Sequence, residues 1–294
     1  MKADLEGVLA MARECGRKKM AVTGNGDDAA LEAIIKAEDM GLVDFVVCGR
    51  ALAATPDEIE KCLPSAAPAQ ARAGALGMAR EGKADLILDT GPLDQEFWAL
   101  LNDKSLGVKS GPVLSYVSLF SAKKDGRLTL LTDTLINGSP GIKKKVGILN
   151  NALEVAACLG IDQPHVAALS ALEMVNPAME STLHAAALSK MSERRQFGSA
   201  IVEGPLAFDN AESASAARHK GIDSPVPGSV DIYLFPELES GNLMAQFMGW
   251  LGSGPLAGIL AGVSFPVVVR SHLEGPDSWL FNIALGVLLC SGRD

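Results

Sequence analysis

The 294-residue chain is 48% hydrophobic and 21% charged, with 30 glycines. That balance excludes a disordered polymer and suits one large or two medium α/β domains joined by many short turns. Its formal net charge of -9 leaves no basic footprint for nucleic acid or an anionic membrane, so local cations or helix N-termini must hold any anionic substrate. The five cysteines (Cys15, Cys48, Cys62, Cys158 and Cys290) form no CxxC pair and are too scattered for a zinc site. Met1 to Arg17 is charged and amphipathic instead of a signal peptide, so the expected compartment is the reducing cytoplasm. The most apolar run, Pro255 to Val269, is broken by Gly258, Gly262 and Pro266 and is too short to span a bilayer.

Leu5 to Cys15 has helical spacing, and Lys18 to Val22 reads as a strand. The turn Thr23-Gly-Asn-Gly-Asp-Asp28 lacks the third glycine of a dinucleotide fingerprint, and its Asp pair would repel a pyrophosphate. A helix over Ala29 to Met40, a strand over Leu42 to Cys48 and a short helix over Ala54 to Cys62 follow. Next come a helix over Ala69 to Arg80, a strand over Ala84 to Leu88, a helix over Leu93 to Leu101, and strands over Pro112 to Phe120 and Arg127 to Thr132. This alternation predicts a doubly wound, mostly parallel sheet. The strand ending at Thr132 runs straight into a polar cluster, Thr132, Asp133 and Asn137, at its carboxyl end, where open α/β sheets bind ligands. The same residues would also serve as a polar turn before the amphipathic helix over Lys143 to Leu159.

The α/β rhythm then restarts. Strands are expected over His165 to Ser170, Ser199 to Val202 and Val230 to Phe235, and helices over Thr182 to Met191, Ala211 to His219 and Asn242 to Gly249. Gly258 to Ala261 and Pro266 to Val269 read as closing strands, and Ser278 to Leu289 as a final apolar helix. Four polar loops follow apolar strands: Ser170 to Glu173 with Asn176, Glu203 to Asn210, Pro236 to Asn242, and Arg270 to Glu274 with Asp277. Their repetition favours a site at one sheet edge, while Asp209, Asn210 and Asn242 also stand where N-caps are expected.

Taken in order, these segments resemble the phosphate acetyl/butyryltransferase family, and its phosphate butyryltransferase branch most. The matching segments are Arg80-Glu-Gly-Lys-Ala-Asp-Leu86, Leu130-Leu-Thr-Asp133 with Asn137 and Pro140, Val166 to Glu173, Ile201 to Asn210, His219 to Ile222, Val230 to Ile232 and Pro236 to Asn242. The resemblance implies two doubly wound α/β domains of the isocitrate/isopropylmalate-dehydrogenase-like type with an interdomain cleft. The expected first domain is 1–140 plus 270–294, and the second 141–269. It implies reversible transfer of a short acyl group between coenzyme A and inorganic phosphate, with acyl-CoA and phosphate as small-molecule partners, coenzyme A as substrate, and no metal or redox cofactor. The chemistry needs a base for the thiol, cations for phosphate and donors for the oxyanion.

In the family's C-terminal motif Ser271 falls on the serine and Asp277 on the carboxylate base. His272 stands where the arginine is expected, and Arg270 sits one place before the serine. Lys109 takes the place of an arginine, in Lys109-Ser-Gly111. Ser115, in Leu114-Ser-Tyr116, follows the Leu-Ser-His strand of the family. Asp89 in Leu88-Asp-Thr-Gly91 stands where the branch usually has a Lys-Gly pair, and His184 where it more often has an acidic residue. The implied catalytic set is Ser271, Asp277, Arg270 and His272. Lys109, Ser115, Thr132, Asp133, Asn137 and Asn242 form the implied substrate-binding set. The less cationic set leaves open an alternative, a weak or inactive paralogue that binds coenzyme A or acyl-CoA as a sensor or partner subunit. Apolar content around Leu243 to Leu260, with Trp250, predicts a homo-oligomer, a dimer or higher.

Overall fold

The computed structural model describes residues 4–24, 28–49, 62–63, 67–121, 127–251, 256–271 and 275–292. The chain divides into two compact units, 1–114 with 254–294, and 115–253.

The first unit holds α1 (Leu5–Glu14), β1 (Lys18–Thr23), α2 (Asp28–Asp39), β2 (Val43–Cys48), β3 (Cys62–Leu63), α3 (Pro68–Arg80), β4 (Leu86–Asp89) and α4 (Gln95–Asn102). The helix expected over Ala54 to Cys62 lies outside the described residues except at Cys62, which opens β3 instead. After the second unit the chain returns with β10 (Ala257–Ala261), β11 (Val267–Val269) and α10 (Pro276–Ser291). Within this unit the strand order is β3-β2-β1-β4-β11-β10. All its described pairings are parallel except β10 with β11, an antiparallel pair with Leu260 opposite Val267. The core strands are apolar on both faces, as parallel strands under helices must be; every residue of β4 is buried.

Helix α10 is buried from Ser278 to Leu289. A helix apolar all round belongs inside a domain, and this one packs against α1, α2 and β10. Gly24 stands at φ +107°, where L side chains are strained, and a Cβ there would collide with the backbone at Thr90 and Gly91. That close approach of two strand-end turns accounts for this glycine without a bound pyrophosphate.

The second unit holds β5 (Ser115–Ser121), β6 (Leu128–Thr132), α5 (Ile142–Cys158), β7 (His165–Leu169), α6 (Glu180–Glu193), β8 (Ile201–Leu206), α7 (Phe208–Glu212), α8 (Ala214–His219), β9 (Ile232–Leu234) and α9 (Leu238–Trp250). Its strand order is β5-β6-β9-β7-β8, with β5 antiparallel to β6 and the rest parallel. Pairing with β6 draws β5 into this unit, so both strands lie beyond the boundary at 114 and not within a first domain ending at 140.

The helix expected over Ala211 to His219 is two helices. Ser213 adopts an extended conformation between them, and its side chain accepts from Ala216 N to cap the second. Asp209 and Asn210 therefore lie inside α7 and are not N-caps. Asn242 likewise sits inside α9, which begins four residues earlier than expected, at Leu238. Strand β9 inserts between β6 and β7, so the carboxyl ends of three neighbouring parallel strands lead into α5, α6 and α9. That edge positions the polar residues of this unit.

Candidate active site

In the second unit one carboxylate organises the loop after β6. Asp133, only 4% exposed, accepts through Oδ1 from the backbone N–H groups of Tyr116 (3.1 Å), Leu135 (3.0 Å) and Ile136 (3.2 Å). Its Oδ2 accepts from the backbone N–H of Asn137 (3.0 Å) and from the Asn137 side-chain amide. A carboxylate offers about four lone-pair positions, so Asp133 has none to spare for a substrate and shapes the loop instead. Its neighbour Thr132 is fully buried and donates to Tyr116 O. Ser115, also fully buried, accepts from Asn151 Nδ2 at 2.9 Å. Thr134 is buried too, its hydroxyl 2.8 Å from that of Ser118.

The amino-terminal turns of α9 close over this loop. Leu238 N donates to Gly138 O, and Asn242 Nδ2 donates to Thr134 O at 3.0 Å. Of the five residues expected to bind substrate here, the structure brings Thr132, Asp133, Asn137 and Asn242 into one assembly, with Ser115 on the adjacent strand. Only Asn137 and Asn242 are partly exposed.

The same edge carries a group that sequence reasoning passed over. Lys145, in the first turns of α5, is 4% exposed, and among the described residues its ammonium makes no hydrogen bond or ion pair. Burial holds its pKa below the usual lysine value, while Glu180 and Glu237 pull the other way. His184 is held below its ordinary value by burial and then by the Lys145 charge, with Glu180 opposing. His184 Nε2 lies 3.4 Å from Glu180 Oε1, and its side chain is 13% exposed, more buried than a surface helix position would be. Three helices begin here without a side-chain cap: α5 at Gly141, α6 at Met179 and α9 at Glu237.

In the first unit Arg270 is exposed and Ser271 half-buried, directly past the carboxyl end of β11. Register places Val269 beside Asp89, so these residues stand next to the end of β4. Asp277 lies in the first turn of α10, exposed, with Lys36 Nζ at 3.5 Å. His272 lies outside the described residues. Lys109 does not join this group. It is exposed and bridges Val263, in the turn between the antiparallel strands β10 and β11. That turn lies at the amino end of β11, across the sheet from Ser271, a separation that spacing along the chain does not reveal.

Asp89 is fully buried and committed to an ion pair. Arg72 Nε and Nη2 donate to its two oxygens at 2.8 and 3.1 Å, and Gly91 N donates at 2.9 Å. Arg72 also donates to Asp94 and to Pro92 O, and its guanidinium lies 4.7 Å from the centroid of the Phe97 ring. Burial alone would lower the Arg72 pKa, but Asp89 and Asp94 outweigh it and hold the guanidinium above its usual value. The acidic residue at this strand end is thus matched inside the fold.

The comparisons with known proteins agree with this architecture. Residues 69–274 match the model of the family described as phosphate acetyl/butaryl transferase. The chain is 36% identical over 291 residues to the phosphate butyryltransferase of Clostridium acetobutylicum, covering 94% of each chain. It is 31% identical to the phosphate acetyltransferase of Thermotoga maritima, covering 97% of this chain and 99% of that one. The crystal structure of a branched-chain phosphotransacylase from Enterococcus faecalis V583 superposes with a TM-score of 0.83 at 25% identity, over 93% of this chain and 99% of that one. With its α/β units, ordered strand-end loops and near full-length relatives, the chain belongs to the phosphate acetyl/butyryltransferase family.

Proposed function

We propose that the chain catalyses reversible transfer of a short acyl group between coenzyme A and inorganic phosphate. The observation that carries this reading is the 36% identity to a phosphate butyryltransferase across 94% of both chains. Coenzyme A enters as a substrate. A base takes the thiol proton, the thiolate attacks the acyl-phosphate carbonyl, and the tetrahedral oxyanion collapses with loss of phosphate. Asp277 is the proposed base, Ser271 the proposed oxyanion donor and Arg270 the proposed phosphate contact, with His272 beside them in sequence. Asn137 and Asn242 are the proposed substrate-facing amides of the second unit. Asp133, Thr132 and Ser115 support them from behind. Lys109 is left out of this set.

The test is coenzyme A release from acetyl-, propionyl- and butyryl-CoA, with and without phosphate, in wild type, Ser271→Ala and Arg270→Ala. Phosphate-dependent release lost in both variants supports the reading. Binding of acyl-CoA without any release would replace it with the sensor or partner-subunit reading.

The proposed working form is a cytoplasmic homodimer. It rests on the exposed apolar residues Leu243 (67%), Phe247 (54%), Trp250 (77%) and Leu251 (51%) along α9 and its C-cap, an apolar stripe of the kind that protein interfaces cover. Sedimentation that stays monomeric at micromolar concentration would exclude it.

A further inference from the structure

Lys145 is placed where an ammonium is least comfortable. Its side chain is 4% exposed, so burial of the stem costs the charge part of its hydration. It lies in the first turns of a 17-residue helix whose opening turn carries no acidic residue, at the end where the macrodipole is positive. The neighbouring His184 is a second group held below its ordinary pKa, by burial first and then by the Lys145 charge. Among the described residues no carboxylate is ion-paired with the ammonium. The groups that feel its charge are His184 and Glu180 in the first turns of α6, and Glu237 at the N-cap of α9. Lys145 stands at the amino end of α5, and the neighbouring strands of the same edge lead into α6 and α9; none of the three helices has a side-chain cap. They rise from the adjacent strands β6, β7 and β9. Uncapped backbone N–H groups and a largely buried lysine without an ion-pair partner among the described residues together favour one kind of occupant, a compact multivalent anion with several acceptor oxygens.

We infer that Lys145, with the amino ends of α5, α6 and α9, forms a phosphate-group subsite at the carboxyl edge of the second unit. The inference rests on the transferase reading for its ligand, since that reaction offers phosphate groups from inorganic phosphate, from acyl phosphate and from coenzyme A itself.

The experiment uses the full chain and four proteins: wild type, Lys145→Met, His184→Asp and Lys143→Met. Lys145→Met removes the charge while keeping the length. His184→Asp puts a carboxylate beside the ammonium and engages it internally. Lys143→Met removes an exposed charge from the same turn. Calorimetric titration with inorganic phosphate alone is expected to show binding to wild type that weakens about tenfold or more in Lys145→Met and His184→Asp. Lys143→Met is expected to stay within about twofold of wild type. In turnover assays the same two variants are expected to raise KM for phosphate more than they lower kcat.

Parallel assays with coenzyme A and 3′-dephospho-coenzyme A identify the source of the phosphate group. A defect seen with coenzyme A and absent with the dephospho form assigns the subsite to the 3′-phosphate, whereas a defect in phosphate alone assigns it to the transferred group. Unchanged affinity for both ligands in folded Lys145→Met and His184→Asp overturns the inference and leaves the transferase reading intact. Phosphate binding lost in Lys145→Met, in a protein that never releases coenzyme A, would leave the subsite standing and remove the transferase reading.

Discussion

Gly241 meets Asp133 backbone to backbone: a Cβ added to Gly241 would collide with the main-chain oxygen of Asp133 and stand 3.3 Å from the Phe235 ring. The contact fixes how close α9 approaches the loop after β6, and with it the reach of Asn242 to Thr134. Substituting Gly241→Ala should force the helix outward. The expected cost is about 1–3 kcal/mol, typical of overpacking a tight contact. Urea unfolding measures it, and a KM increase larger than the kcat loss would show that the displaced residue is Asn242.

Asp133 accepts every described hydrogen bond that orders Leu135 to Asn137. Replacing it with Ala leaves several backbone donors facing a partly buried space, at about 2 kcal/mol or more. Asp133→Asn keeps the shape and some acceptor capacity, so it should fall between wild type and Ala in chemical denaturation. Equal stability for all three proteins would mean that water replaces the carboxylate without loss.

The Arg72–Asp89 pair yields a prediction in pH. Removing one partner of a buried pair costs about 3–5 kcal/mol, because the remaining charge is stranded. In Arg72→Met the Asp89 carboxyl loses the guanidinium that lowers its pKa, while the burial that raises it remains. Burial already holds its folded value above the unfolded value of about 3.9 with Arg72 in place, and the substitution raises it further, so the native state binds the proton more readily than the unfolded chain does. The variant should be relatively more stable at acid pH and lose that stability as pH rises through the folded value. Thermal melts of wild type and variant between about pH 4.5 and pH 8 check the sign. A deficit that does not grow with pH would contradict it.

These relationships also mark what the sequence could and could not reveal. Leu86 to Asp89 and Leu128 to Thr132 advertise buried strands because both faces are apolar, and the all-apolar run of α10 advertises a core helix. Family motifs locate the strand-end loops although sheet order departs from chain order, because each motif follows its own apolar strand. Lys145 stays hidden because the third lysine of a Lys-Lys-Lys run looks like part of a solvated face, and only helix packing decides which of the three turns inward. Arg72 is hidden likewise within an alanine- and glycine-rich helix. Lys109 misleads because its neighbours in sequence lead into β5, whereas its bridge to Val263 ties it to the amino end of β11. The split at Ser213 follows from its capping of Ala216, which competes with a continuous helix.

Lys145 and His184 together set the pH response of the ligand-free protein. Both folded pKa values lie below their ordinary ones, so in each case the unfolded chain takes up a proton before the native state does. For His184, stability should fall as pH drops through the unfolded value of about 6.5. For Lys145, stability should climb as pH rises through the lowered folded value toward about 10.4. At pH 7 the lysine charge is a net burden on the empty site, so Lys145→Met should melt at or above the wild-type temperature and lose the alkaline gain. Adding inorganic phosphate should reverse the order, raising the wild-type Tm and leaving the variant unmoved, because a ligand stabilises only the state that binds it. A variant that melts well below wild type without phosphate would instead assign Lys145 a packing role.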